Sequence, residues 1–393
     1  MTRFASQARR SLVVTLVAGM AMALLLGSAS SRRGPQTTPA AQALLSYTPV
    51  TGAIFNRPIG TTAEQRRIFT HVNNAIAATP AGATIRIAVF SFSEKSTADR
   101  LLAAKARGVN VQLIFNDHTI YAQEARLRKA LGANPNARSF TIYCHLSCRG
   151  SSGNMHDKIF MFSRAGAAEN VTMVGSNNMT ANNAVNQWSD IYTVANDPAL
   201  YFTFSGVFDQ MKYDKAMSKT YYSADINGYQ PQFYPYAGVS QLRDPLYQTL
   251  SKVVCTGAAE GTGQDGATVL RMSQHAWNGD RGVYLAKKVA SLRSQGCLVS
   301  VIYGVGIGSQ VKSILANAGV RFPTIRHRSD RTHQKTLMIS GNYDGNPGAQ
   351  LVYTGSHNWS DGALRRDEVI FRVDNPTAFA QYLKNFQDIW HNG

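Results

Sequence analysis

Acidic residues are scarce: 23 aspartates and glutamates stand against 40 lysines and arginines, a formal charge of +17 over 393 residues. Such a surface repels cationic partners and attracts polyanions, nucleic acid or anionic lipid headgroups. An exported protein that is merely basic has the same composition, so charge alone assigns nothing. Whole catalytic signatures are missing as well. There is no serine elbow, no carboxylate cluster and no Gly-rich nucleotide loop, which sets aside the hydrolase and nucleotide-binding schemes built on them. Apolar runs of membrane-spanning length are absent too. The one long run, Leu12 to Leu26, follows Arg3, Arg9 and Arg10 and precedes Gly27-Ser28-Ala29. It reads as an export signal over residues 1–29, with Ala41-Gln42-Ala43 as an alternative cleavage site near residue 43. Losing the three signal arginines leaves +14. Arg9-Arg10 loosely fits a twin-arginine signal, and ordinary secretion is the expectation.

What is present is a sentence written twice. His156-Asp157-Lys158 opens an apolar run, and a second run ends in Gly175-Ser176-Asn177-Asn178. Late in the chain, His333-Gln334-Lys335 and Gly355-Ser356-His357-Asn358 repeat the pattern. Two strands joined by a turn would bring each His and Lys beside the Ser and Asn at their ends. Each copy supplies an imidazole, an ammonium, a hydroxyl and a carboxamide. Lysine and asparagine offer donors to the non-bridging oxygens of a phosphodiester, and two histidines can divide nucleophilic and acid–base work near neutral pH.

This duplicated pattern resembles the phospholipase D superfamily, whose motif is His-x-Lys-x4-Asp followed by Gly-Ser-x-Asn. The resemblance covers essentially all of the mature chain as two halves. It implies an α/β fold of two similar β-α-β-based halves with pseudo-two-fold symmetry and one shared active site. It also implies a metal-free, cofactor-free reaction through a covalent phosphohistidine. Carried over residue by residue, it designates His156, Lys158, Asn178, His333, Lys335 and Asn358 as catalytic, with Ser176 and Ser356 in support. His156 is then the nucleophile and His333 the general acid. The family's downstream carboxylate, which orients an imidazole, corresponds to Glu368 in the second half and, slightly displaced, to Asp190 in the first. The motif's Asp is replaced twice, by Ser163 and Ser340. Serine can hydrogen-bond but holds no charge opposite lysine.

The halves align element by element: a β-α-β unit over 83–115 and another over 269–303. The offset between them is 188 at Gly108/Gly296 and 177 at the histidines. The first half therefore carries about eleven extra residues before its motif, in the stretch holding Cys144 and Cys148. Domain boundaries follow: an irregular lead-in at 44–60, a first half at 61–215, a Tyr/Pro-rich linker at 216–240 and a second half at 241–393. In an oxidising compartment four cysteines favour disulfides. Cys144–Cys148 with Cys255–Cys297 keeps each bond within one half, and the alternative is zinc on Cys144, His145, Cys148 and His156. Arg321, Arg326, Arg328 and Arg331, with His327, crowd before His333 and are expected to steer an anionic substrate. Trp188, Trp277 and Trp359 suit a pocket wall or the core equally.

For substrate, export and the resemblance favour phospholipid headgroup hydrolysis or exchange at a membrane surface. The charge favours nucleic acid, and the paired serines favour a weakly catalytic polyanion-binding module. No obligate protein partner is inferred, and a monomer is expected.

Overall fold

The computed structural model describes residues 47–323 and 331–393. The export signal, its alternative cleavage site, Arg326, His327 and Arg328 lie outside the described residues.

The first half contributes a seven-stranded sheet: β1 (Gly52–Phe55), β2 (Thr84–Val89), β3 (Asn110–Asn116), β4 (Phe140–Cys144), β5 (Lys158–Ala165), β6 (Ala168–Gly175) and β7 (Asp190–Val194). The second half contributes another: β8 (Tyr222–Ser223), β9 (Tyr229–Phe233), β10 (Val269–Trp277), β11 (Leu298–Ile307), β12 (Lys335–Tyr343), β13 (Asn346–Gly355) and β14 (Val369–Asp374). Their orders are β1-β7-β6-β5-β2-β3-β4 and β8-β9-β14-β13-β12-β10-β11. Aligned on the duplicated motif, six strands correspond one to one. β4 is extra in the first half and β8 in the second.

Both β-α-β units are parallel pairs, β2 with β3 and β10 with β11. Helices α1 (Lys95–Ala106) and α3 (Gly279–Ser294) supply the crossovers. Each half closes with a long helix, α2 (Pro198–Met211) and α4 (Pro376–Asn392). The recurring Asp-Pro and Asn-Pro are their starts. Asp197 accepts from the Leu200 amide, Asn375 accepts from the Ala378 amide, and proline occupies the first turn, where no amide proton is needed. One core cluster joins the halves, containing Trp188, Tyr192 and Phe204 from the first and Val369, Phe371 and Tyr382 from the second. The other two clusters belong to one half each.

Two expectations are corrected. The lead-in is not irregular throughout, because Gly52–Phe55 pairs antiparallel with β7. The Tyr/Pro-rich segment is not a plain linker, because Tyr229–Phe233 pairs with β14 as the counterpart of β1. Proline hid it. Pro231 lies where β8, which pairs only through Gln232 and Phe233, has already ended, so its missing amide proton costs the sheet nothing.

The extra segment of the first half supplies β4 and the Cys144–Cys148 disulfide; Cys255–Cys297 is also bonded. With their sulfurs joined, Cys144 and Cys148 offer no thiolates, which removes the zinc alternative. Two disulfides are compatible with a secreted protein. No helix among the described residues is long and apolar enough to cross a membrane.

Candidate active site

The hairpins β5–β6 and β12–β13 do what the duplicated pattern demands. Lys158 and Lys335 open β5 and β12, while Gly175 and Gly355 end β6 and β13, so His-x-Lys and Gly-Ser-x-Asn meet at one end of each hairpin. The glycines are there for space. A Cβ on Gly175 would lie 2.2 Å from the Asp190 carbonyl oxygen, and one on Gly355, at φ +129°, 2.2 Å from that of Val369.

The halves then interlock by equivalent short bridges. The His156 amide donates to the Asp367 carbonyl (2.9 Å) and the His333 amide to that of Trp188 (2.8 Å). Each histidine is thereby placed by the opposite half. One cavity of about 480 Å³ results, lined by His156 and Asn178 from one half and by His275, His333, Asn358 and Arg366 from the other. Asn178 and Asn358 line it with their Oδ1 atoms unpartnered. Lys158 and Lys335 are buried close by, donating to the His156 and His333 carbonyls at 2.5 Å each.

The symmetry is broken at the imidazoles. His156 Nδ1 lies 2.9 Å from Glu368 Oε2, and with Glu368 ionised that nitrogen carries the proton. His333 Nδ1 donates instead to the Ser176 carbonyl (2.7 Å). Asp190 does not orient His333. Its carboxylate accepts from Ser176 Oγ (2.6 Å), Tyr382 Oη (2.7 Å) and Thr354, and so braces the interface between the halves. The neighbours differ too. Val89 and Gln274 pair with Lys158 and Lys335 respectively. One residue further along come Phe90, just past β2 and 4.8 Å centroid to centroid from His156, and His275, within β10 and 4.5 Å from His333.

Burial dominates the electrostatics. It drives His156 and His333 well below the usual imidazole range, brings Lys158 down to about 7 and lowers Lys335 strongly. It also lifts Glu368 to about 7. An anion entering the cavity reverses the lysine shifts by pairing with the ammonium groups.

Several expected residues fall elsewhere. Ser163 Oγ accepts from the Thr84 amide (2.8 Å) and Ser340 Oγ from the Gly263 amide (3.0 Å). Both lie five residues along their strands from the lysines, so the lost motif carboxylate does not bear on the cavity. Arg321 pairs with Ser300 early in β11, away from the cavity, and Arg331 donates to Asn186 of the other half. Arg366 is the arginine that lines the cavity. The three tryptophans are core residues, each at most 2% exposed. Phe90, His275 and Arg366 escaped the sequence reading; equivalent position in the repeat, one residue past the partners of the two lysines on β2 and β10, is the signal that would have found the first two.

The backing of Glu368 was also unforeseen. Asp367 accepts from the Cys148 amide (2.5 Å) and from Arg149 (3.3 Å), while the Tyr234 amide donates to the Glu368 carbonyl (2.9 Å). The disulfide loop and the Tyr/Pro-rich segment thus hold the residue that holds His156.

A duplicated α/β fold whose two His-Lys-Asn sets close one cationic cavity defines a phosphodiesterase-type protein. The family model described as "Cardiolipin synthase, PLD-like domain" matches residues 76–212 and 283–390, more than half of the chain, and the chain belongs to the phospholipase D superfamily. Comparison with curated proteins gives no match. Among solved structures, phosphatidylserine synthase from Haemophilus influenzae has a similar fold, at TM-score 0.55, 11% identity and 89% coverage of each chain. Polyphosphate kinase from Porphyromonas gingivalis aligns at TM-score 0.52 and 12% identity over 86% of this chain, which spans half the length of that kinase. Nuc from Salmonella typhimurium, described as a phospholipase D family member, aligns at TM-score 0.31 and 21% identity, over 42% of this chain and 94% of that one.

Proposed function

We propose that the protein is an exported phosphodiesterase that cleaves nucleic acid through a phosphohistidine. His156 Nε2 attacks phosphorus as the bond to the leaving oxygen breaks, and His333 gives that oxygen its proton. Water, deprotonated by His333, then cleaves the N–P bond and frees His156. Lys158, Lys335, Asn178 and Asn358 stabilise the non-bridging oxygens. Glu368 favours His156 for attack, because a carboxylate on Nδ1 stabilises the positive charge that the ring acquires on phosphorylation.

The observation that carries the choice of substrate is the cavity wall. Phe90 and Ala276 are its only apolar side chains among the lining residues; the rest, with the exception of Gly362, are asparagines, histidines, Ser360, Asp361 and Arg366. Headgroup cleavage, favoured by export and resemblance, calls for an apolar approach for the glycerolipid, and this wall offers only Phe90 and Ala276. The basic charge, +14 once the three signal arginines are lost, also suits a polymer of phosphates. One observation favours the lipid reading: Ile120, Leu146 and Val305, 53%, 39% and 72% exposed, sit at or beyond the ends of β3, β4 and β11. The test offers the protein single- and double-stranded DNA beside phosphatidylcholine and phosphatidylglycerol vesicles. DNA cleavage falling steeply with salt is expected; headgroup release without DNA cleavage overturns the assignment.

A pH prediction follows from Lys158. Its protonated form is the one that binds phosphate and its value in the empty site is about 7, so kcat/KM declines as pH rises beyond that point. Lys158→Arg keeps its proton throughout, so its profile should lose the part of the decline that Lys158 contributes and keep that of Lys335, which burial also lowers. A Lys158→Arg profile superimposable on wild type would assign the limb to another group.

A further inference from the structure

A second cavity, of about 420 Å³, adjoins the catalytic one and takes no part in the chemistry of the two histidines. The same two segments wall both. Asn154 and Arg366 face the catalytic cavity, while Ser151, Ser152 and Arg365 line the second. These segments are pressed together, since a Cβ on Gly153, at φ +80°, would lie 2.2 Å from the Arg365 carbonyl oxygen. Ser152 and Asn154 are two residues apart, at most about 7 Å of extended chain. The second cavity is thus a neighbour on the scale of one monomer of a phosphodiester chain.

Its lining is of two kinds. Tyr221 and Tyr236 stack on each other, centroids 4.5 Å apart and planes at 15°, and both remain partly exposed. Lys219 and Arg365 are exposed and make no ion pair among the described residues. A stacked aromatic platform beside two free cations suits a flat π-face attached to an anion.

We infer that this cavity is a binding subsite for the nucleotide flanking the scissile phosphodiester, its base stacking on Tyr236, which Tyr221 backs, and its phosphate resting on Lys219 and Arg365. The inference rests on the nucleic-acid reading and narrows it to single strands, because a base held in a duplex cannot reach the tyrosines. It also gives the Tyr/Pro-rich segment a ligand.

The test compares kcat/KM on a single-stranded DNA oligonucleotide with that on bis(p-nitrophenyl) phosphate, which has no flanking nucleotide and no second phosphate. Tyr236→Leu should lose about tenfold or more on the oligonucleotide beyond any change on the small diester. The double variant Lys219→Ala/Arg365→Ala, on exposed side chains that leave the fold alone, should raise the oligonucleotide KM. It should also flatten the salt dependence, by about 0.7 in slope for each phosphate that the variant no longer neutralises. If wild type cleaves the oligonucleotide and the double variant matches it in KM and salt slope, the subsite is wrong and the nuclease reading stands. If wild type turns over the small diester but no nucleic acid, the nuclease reading falls and takes the subsite with it. Equal losses on both substrates would make these residues structural and overturn the subsite.

Discussion

His156→Ala and His333→Ala should each lose about two to four orders of magnitude in rate on any phosphodiester the protein turns over. They should fail differently. Without His156 no covalent intermediate forms, so rapid quenching with a 32P-labelled substrate leaves the protein unlabelled. Without His333 the intermediate can form when the leaving group is good, as p-nitrophenolate is, but the water step is slow and label accumulates. The difference originates in the hydrogen bonds: His156 has a carboxylate on Nδ1, His333 only the Ser176 carbonyl. Label accumulating in His156→Ala instead would exchange the two roles. A near-wild-type rate in either variant would break the shared site altogether.

The second large effect separates two carboxylates that a sequence comparison treats as equivalent. Glu368→Gln should cost about a hundredfold or more in kcat, because the amide no longer supports charge on His156. Its melting temperature should stay close to wild type, since glutamine keeps an oxygen that can accept from His156 Nδ1. Asp190→Ala should do the reverse in kind. It strands the buried hydroxyls of Ser176, Thr354 and Tyr382, which span both halves. A loss of about 3 kcal/mol or more is expected, seen as a clear drop in melting temperature. Were Asp190→Ala to retain its stability while losing turnover like Glu368→Gln, the pseudo-symmetric assignment of both carboxylates to the imidazoles would be restored.

The duplicated motif made much of this legible. Its spacing placed two hairpins, and the β-α-β periodicity placed the parallel pairs beside them, because strand alternation and helix repeats are local properties of the chain. The eight motif residues needed no structure to be named. What escaped depends on register across the sheets or between the halves. Phe90 and His275 face the histidines only because β2 and β10 pair with β5 and β12 in equivalent registers. The bracing role of Asp190 rests on Tyr382, 192 positions away. Tyr229–Phe233 resembled a linker because its composition, rich in tyrosine and proline, is that of a loop, although its partner β14 accepts it as a strand. The serines at 163 and 340 raised the alternative of a weakly catalytic module, yet each lies five residues along its strand from the lysine and accepts from a backbone amide.

The bridges between the halves run reciprocally, His156 to Asp367 and His333 to Trp188. Two identical separate halves could form such an interface with themselves, every bridge occurring twice about a dyad. In that arrangement any substitution is made on both sides at once, so neither histidine can acquire surroundings of its own. Joining the halves in one polypeptide lifts that restriction. Phe90 opposite His275, and Glu368 on an imidazole where Asp190 holds only hydroxyls, are differences that no homodimer could carry. A covalent link between two copies thus serves as a licence for division of labour, and the cavity can present unlike faces to the two ends of one bond.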